Sequence, residues 1–240
     1  MKWSNTRKPR KKPDFGGKAG ETVCGRYYVD EETAKEINEI VGLADERVRR
    51  MAAAKKTACA QKTDQAEKAV QEKLQLRAGD IHPTQEAPVL IASNAGLRWS
   101  LLRWGFPGFQ KKQVIFNARS ETALEKRMFR ESTQNRRIVV VATWFYEWNR
   151  RKEKNIFYRK DQAALFMAGI YSRHQGGERF VILTTQANAS MQPVHDRMPL
   201  LLEKDEVIPW ISDGERTGAF LRKVPYLLER RADFEQMSLF

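Results

Sequence analysis

Most of the chain between Ala87 and Thr185 repeats one texture, in which runs rich in apolar, β-branched and aromatic residues are separated by turn-length links. The runs are "APVLIAS", "LRWSLLRWGF", "RIVVVATWFYEW", "NIFYRK", "ALFMAGIY" and "RFVILTT". Leu97, Trp99 and Leu101 alternate with Arg98 and Ser100, the period of a strand with one buried face. Asn94-Ala95-Gly96 and Gly176-Gly177 supply hairpin turns. Strands in succession with short connections predict an α+β fold with a mainly antiparallel, barrel-like β-sheet core and flanking helices. The helices are expected from Asp30, where Ile37, Ile40, Val41, Ala44 and Val48 recur at helical spacing, and over Ser120 to Arg130, Asp205 to Ile211 and Gly214 to Leu221. No internal repeat is present.

At 240 residues with 41% hydrophobic content the chain is long enough for one ordinary core. No apolar run is long enough to span a membrane, and no apolar stretch follows the basic start as a secretory signal requires. A cytoplasmic protein without a membrane partner is the expectation. Cys24 and Cys59 make no disulfide framework and have no ligands at metal spacing, so reduced thiols, no metal and no cofactor are expected. The formal charge of +13 favours a polyanionic partner such as nucleic acid. Residues 1–22 hold a net +5 of it, leaving +8 for the rest. That leader, rich in Lys, Arg, Pro and Gly, reads as disordered and outside the domain, which spans 23–240. Residues 49–76, rich in Ala, Lys, Gln and Glu, read as a helical insertion.

Four positions resist a purely structural account. Glu147 lies in the aromatic run "ATWFYEWNR", on the face shared with Phe145 and Thr143. Burying an unpaired carboxylate there costs several kcal/mol, so it needs a partner or a proton, and a raised pKa suits a general acid or base. The alternative is a strand-end Glu paired with Arg150 or another base. His195, in "VHDRMPL", has an imidazole able to move protons near neutral pH or simply satisfied in a loop. Asn117 and Arg119, in "FNARSET", could orient a polar substrate beside a phosphate or make a turn. Cys24, before Gly-Arg-Tyr-Tyr, is a reactive thiol or a small hydrophobe in a first strand. His82 and His174 read as structural.

In order, "CGRYY", "LRWGF", "FNARSETA", "FYEWNR", "AGIY", "ILTT" and "VHDRMPL" resemble the SOS-response-associated peptidase (SRAP) family, the abasic-site processing proteins. The resemblance implies a single barrel-like domain with a basic groove for single-stranded DNA. It also implies that cysteine becomes the first residue and attacks the aldehyde of an abasic site. On that basis Cys24 is the nucleophile, and Asn117, Glu147 and His195 match the polar residues of the family's active site. Arg26, Arg119, Arg127 and Arg197 match positions near phosphate, Trp104 and Trp148 are expected to stack on bases, and Thr184 to add a hydrogen bond. Single-stranded DNA with abasic sites is the implied partner, and a monomer the expected state. A thiol peptidase using Cys24 and His195, or a noncatalytic DNA-binding module, are the alternatives.

The sequence departs from the family's pattern in three places. The Tyr-Asn pair common upstream of Pro83 is missing, and Trp144 stands where Gly is common. Before Cys24 lie 23 residues, which leave its nitrogen an amide that cannot form an imine. Two routes expose it. Either translation begins at Val23, decoded as Met and then removed, which is the favoured expectation, or the chain cleaves itself between Val23 and Cys24.

Overall fold

The computed structural model describes residues 24–39, 41, 78–93, 96–110, 113–160 and 164–232. The leader, the whole of the 49–76 insertion and the Asn94-Ala95 turn lie outside the described residues. In chain order the strands are β1 (Tyr27–Val29), β2 (Gly79–Ile81), β3 (Glu86–Ser93), β4 (Gly96–Trp104), β5 (Phe106–Pro107), β6 (Val114–Ile115), β7 (Asn117–Arg119) and β8 (Arg137–Ala142). They continue as β9 (Trp144–Trp148), β10 (Lys154–Tyr158), β11 (Leu165–His174), β12 (Gly177–Gln186), β13 (Arg197–Pro199), β14 (Leu201–Leu202) and β15 (Glu229–Ala232). The helices are α1 (31–39), α2 (Arg127–Asn135), α3 (Val207–Ser212) and α4 (Thr217–Leu221).

Strands β12, β4, β3, β8 and β11 form a ring, closed because β11 also pairs β12. This is the barrel that the alternating runs predict. Its ladders are antiparallel except β12–β4, and β7 also joins β12 in parallel. A second sheet, in the order β15-β10-β9-β1-β2, leans on the barrel. Closure needs close approach of backbones. A side chain at Gly169, in the "AGIY" run, would meet the Val181 carbonyl oxygen at 2.8 Å. Gly105, with φ +115°, breaks the strand between β4 and β5, where a Cβ would strike Val114 Cγ1.

Strand β8 is buried along its whole length because one face looks into the barrel and the other is covered. Trp210 of α3 provides part of that cover, its indole donating to the Ile138 carbonyl at 2.9 Å. Arg137 fastens the same helix, donating to the carbonyl oxygens of Trp210 at 2.6 Å and Ile211 at 3.3 Å. Helix α1 begins where Asp30 caps it, its carboxylate accepting from the Thr33 N–H at 2.7 Å, and buries Ala34 and Ile37.

Three local readings change. "RIVVVATWFYEW" is not one strand. Thr143 splits it into β8 of the barrel and β9 of the second sheet, its N–H bonded to the Tyr28 carbonyl at 2.8 Å and its hydroxyl accepting from the Asp30 N–H at 2.9 Å. Both faces of the run are apolar, so the sequence carries no mark of the change of sheet. The helix expected over Ser120 to Arg130 is a 3-10 turn, Ser120–Thr122, followed by α2, because Lys126 is extended at ψ 122° and starts the helix anew. The loop expected around His195 runs into strand β13, which pairs with β12.

Candidate active site and DNA groove

Cys24 lies just before β1. Strand β1 runs antiparallel to β9, with Tyr27 opposite Phe145 and the Tyr146 N–H bonded to the Arg26 carbonyl at 3.0 Å. That register carries Cys24 alongside Glu147. The backbone N–H of Cys24 donates to Glu147 Oε2 at 2.8 Å, and Glu147 Oε1 accepts from the Trp148 N–H at 3.1 Å. Cys24 is a non-glycine residue in the left-handed region, φ 53°, so the chain bends there at a cost of about 1 kcal/mol. Its side chain is fully buried, with the sulfur 3.9 Å from Met167 Sδ.

Burial sets the protonation of this pair. It pushes the Glu147 carboxyl up to about 7, while the N–H groups of Cys24 and Trp148 pull the other way. Burial, with the neighbouring Glu147 charge second, pushes the Cys24 thiol well above its ordinary range. A carboxyl that exchanges its proton near neutrality therefore sits on the nitrogen of a neutral thiol residue.

The other candidates gather around a groove of about 1120 Å³. Asn117, Arg119, Arg127, Thr184 and Arg197 line it. Strand β7 brings Asn117 opposite Ile182 and Arg119 opposite Thr184. Gly25 sits against Phe116, a Cβ there lying 3.9 Å from the Phe116 ring, which joins the residue after Cys24 to the residue before Asn117. Arg197 is held rather than free. It grips both oxygens of Glu121 at 2.7 and 2.8 Å and donates to the Thr184 carbonyl at 2.6 Å. Partial burial works to raise the Glu121 carboxyl, yet these bonds hold it below its usual range. Arg119 and Arg127 are exposed.

His195 connects to the groove through Arg197, whose backbone N–H donates to His195 Nδ1 at 3.0 Å. In the neutral ring this puts the proton on Nε2, where it is a hydrogen-bond donor. Protonation would turn Nδ1 instead to the Asp196 carboxylate, 2.9 Å away. Arg26 and Trp148 form a third cluster beside Glu147, the guanidinium 5.6 Å from the Trp148 ring centroid and 5.7 Å from that of Tyr146. Arg26 Nε also donates to His82 Nδ1 at 3.3 Å.

Trp104 requires a correction. Expected to stack on bases, it is 0% exposed, bonded through its indole N–H to the Phe116 carbonyl at 2.9 Å and packed on Tyr27 and Phe180. No face of it is open to a base. The groove has instead Phe109, 88% exposed, and Lys126, neither of them singled out from sequence, and His174, which read as structural. An aromatic inside the polar stretch Gly108-Phe109-Gln110 was the available signal. Among the described residues no cluster of three or more His, Cys, Asp or Glu could hold a metal, and no helix is long and apolar enough to cross a membrane.

The site is therefore a buried cysteine whose nitrogen rests on a carboxyl that titrates near neutrality, close to a cationic groove on a small β-barrel. Residues 23–237 match the family model described as SOS response associated peptidase (SRAP), and the chain belongs to that family. It is similar to the abasic site processing protein YoaM of Bacillus subtilis (strain 168), 32% identical over an alignment of 176 residues, with 67% of this chain and 78% of the relative covered. It is 34% identical over 140 residues to the abasic site processing protein YedK of Escherichia coli (strain K12), covering 55% of this chain and 63% of that one. Crystal structures of proteins from Bacteroides thetaiotaomicron and Bordetella bronchiseptica share the fold, with TM-scores of 0.60 and 0.61 at 20% identity over 89% and 87% of this chain, and 94% and 99% of theirs.

Proposed function

We propose that this protein binds single-stranded DNA and captures abasic sites covalently through Cys24, shielding the lesion for repair. The observation that carries this reading is the 2.8 Å bond from the Cys24 nitrogen to Glu147. When Cys24 is the first residue, that nitrogen is an α-amine with an intrinsic pKa of about 8. Glu147 takes its proton, and the amine adds to the C1′ aldehyde of the ring-opened sugar. The carbinolamine loses water, with Glu147 returning the proton, to give an imine. The thiol then adds across the C=N bond and its proton passes to nitrogen, closing a five-membered thiazolidine. One water is released in all, and the imine that would lead to β-elimination and strand cleavage is consumed. As an imidazolium, His195 gives its Nε2 proton to the sugar ring oxygen as the C1′–O4′ bond breaks and the C1′ hydroxyl loses its proton to water, and Asn117 holds the sugar oxygen or the amine. The groove cations take the phosphates, and Trp148 offers a stacking face.

The test is a denaturing gel of protein beginning at Cys24 with single-stranded abasic DNA. A heat-stable shifted band is expected, absent for Cys24→Ala and slowed for Glu147→Gln and His195→Ala. No band from the Cys24-first protein overturns the proposal.

The same bond favours a second activity, self-cleavage before Cys24. The Cys24 nitrogen is the leaving group of the Val23–Cys24 peptide bond, and Glu147 is positioned to protonate it. The thiol attacks the Val23 carbonyl carbon, the C–N bond breaks as the nitrogen gains its proton, and water hydrolyses the resulting thioester. Incubating the full chain without DNA should release residues 1–23, read by mass spectrometry. A full-length chain that stays intact while remaining folded rules this out.

A further inference from the structure

Tyr27 is as fully buried as Cys24, three positions along the chain. It stands opposite Phe145 in the β1–β9 register, and Glu147 projects from the same face of β9, so the phenol, the carboxyl and Cys24 share one inner surface. Trp104 fixes the ring, with centroids 5.3 Å apart. The Tyr27 hydroxyl has no hydrogen-bond partner. A buried hydroxyl left unpaired costs about 1–3 kcal/mol, whereas Phe would fill the same space without that cost. The oxygen therefore does nothing for the resting fold.

We propose that Tyr27 is a positioning residue whose hydroxyl donates a hydrogen bond to the Cys24 sulfur when the thiol ionises. This rests on Cys24 being the nucleophile. Burial first, and the Cys24 charge second, push the phenol far above its ordinary range, so it keeps its proton and remains a donor while the thiol titrates. A hydrogen bond to an anionic sulfur offsets part of the burial penalty on the thiolate.

The experiment follows iodoacetamide modification of Cys24 against pH in the full chain, counted by mass spectrometry of the Cys24 peptide so that Cys59 does not interfere. Tyr27→Phe should move the profile to higher pH by about one unit, roughly a tenfold slower reaction at pH 8. Its thermal stability should equal or exceed that of the parent, which separates this role from packing. Superimposable profiles overturn the proposal. The measurement uses no DNA, so its failure leaves the abasic-site reading standing, and a failed crosslinking gel leaves the profile shift intact.

Discussion

The Cys24 nitrogen and Glu147 Oε2 are 2.8 Å apart although 123 positions separate the two residues in sequence. The bond puts an ionisable carboxyl in a buried site, and the consequences for pH follow from that placement.

Glu147 binds its proton more tightly in the folded protein, at about 7 against an ordinary 4.5, with burial as the chief cause. Its favourable contribution is complete below pH 4.5, fades as pH rises toward 7 and is gone above it. Glu147→Gln carries no charge at any pH. Relative to the parent, the variant should therefore gain up to about 3 kcal/mol between pH 4.5 and 8. Urea unfolding midpoints at several pH values measure this, and a constant gap between the two proteins contradicts it.

The exposed groove cations should act on DNA and leave the fold alone. Arg119→Ala and Arg127→Ala should each weaken single-stranded DNA binding and lower the dependence of log K on log salt by about one. Arg197→Ala should behave differently, destabilising the protein by roughly 1–3 kcal/mol as Glu121 loses both charge-assisted bonds. Salt titrations paired with melting curves distinguish the two behaviours.

Trp104 and Trp148 should part company on substitution. Trp104→Leu removes buried ring contacts and the bond to Phe116, and should cost about 2–4 kcal/mol. Trp148→Ala, at a half-buried site, should cost less than about 1 kcal/mol while weakening DNA binding by about 1–3 kcal/mol if a base stacks there. Calorimetry and binding anisotropy on the same preparations read both effects. Stable Trp104→Leu protein with impaired binding would be the opposite result.

Arg137 is 6% exposed and donates to the carbonyl oxygens of Trp210, Ile211, Thr133 and Gln134. Arg137→Ala takes the guanidinium donors from the buried carbonyl oxygens of Trp210 and Ile211 and should lower stability by about 3 kcal/mol. Arg137→Lys should recover little, because an ammonium cannot reproduce the planar fork. Thermal melts test this, with crosslinking measured well below the transition expected to be unchanged.

The strands of the barrel were legible because alternation and turn chemistry are local. "APVLIAS" appears in β3, "LRWSLLRW" in β4 with Phe106 beyond the Gly105 break in β5, and "RFVILTT" lies within β12. The short pieces β2, β5, β6, β7, β13 and β14 were not, since two or three residues hold no period. The break at Thr143 was hidden for the opposite reason, since every neighbour was apolar. Trp104 and Phe109 show the same limit at the site, as both are aromatics near the "WGF" run, one sealed in the core and the other almost wholly exposed.

Composition, periodicity and motif order thus determined the barrel class, the cationic character and the residue types of Cys24, Asn117, Glu147 and His195. Tertiary structure alone decided that Glu147 meets the Cys24 nitrogen, that Arg197 is tied to Glu121, and that Trp104 is core. The physical reason is that a residue's period reports which way its side chain points, whereas its partner and its contact with water depend on the register and cover supplied by strands remote in the chain.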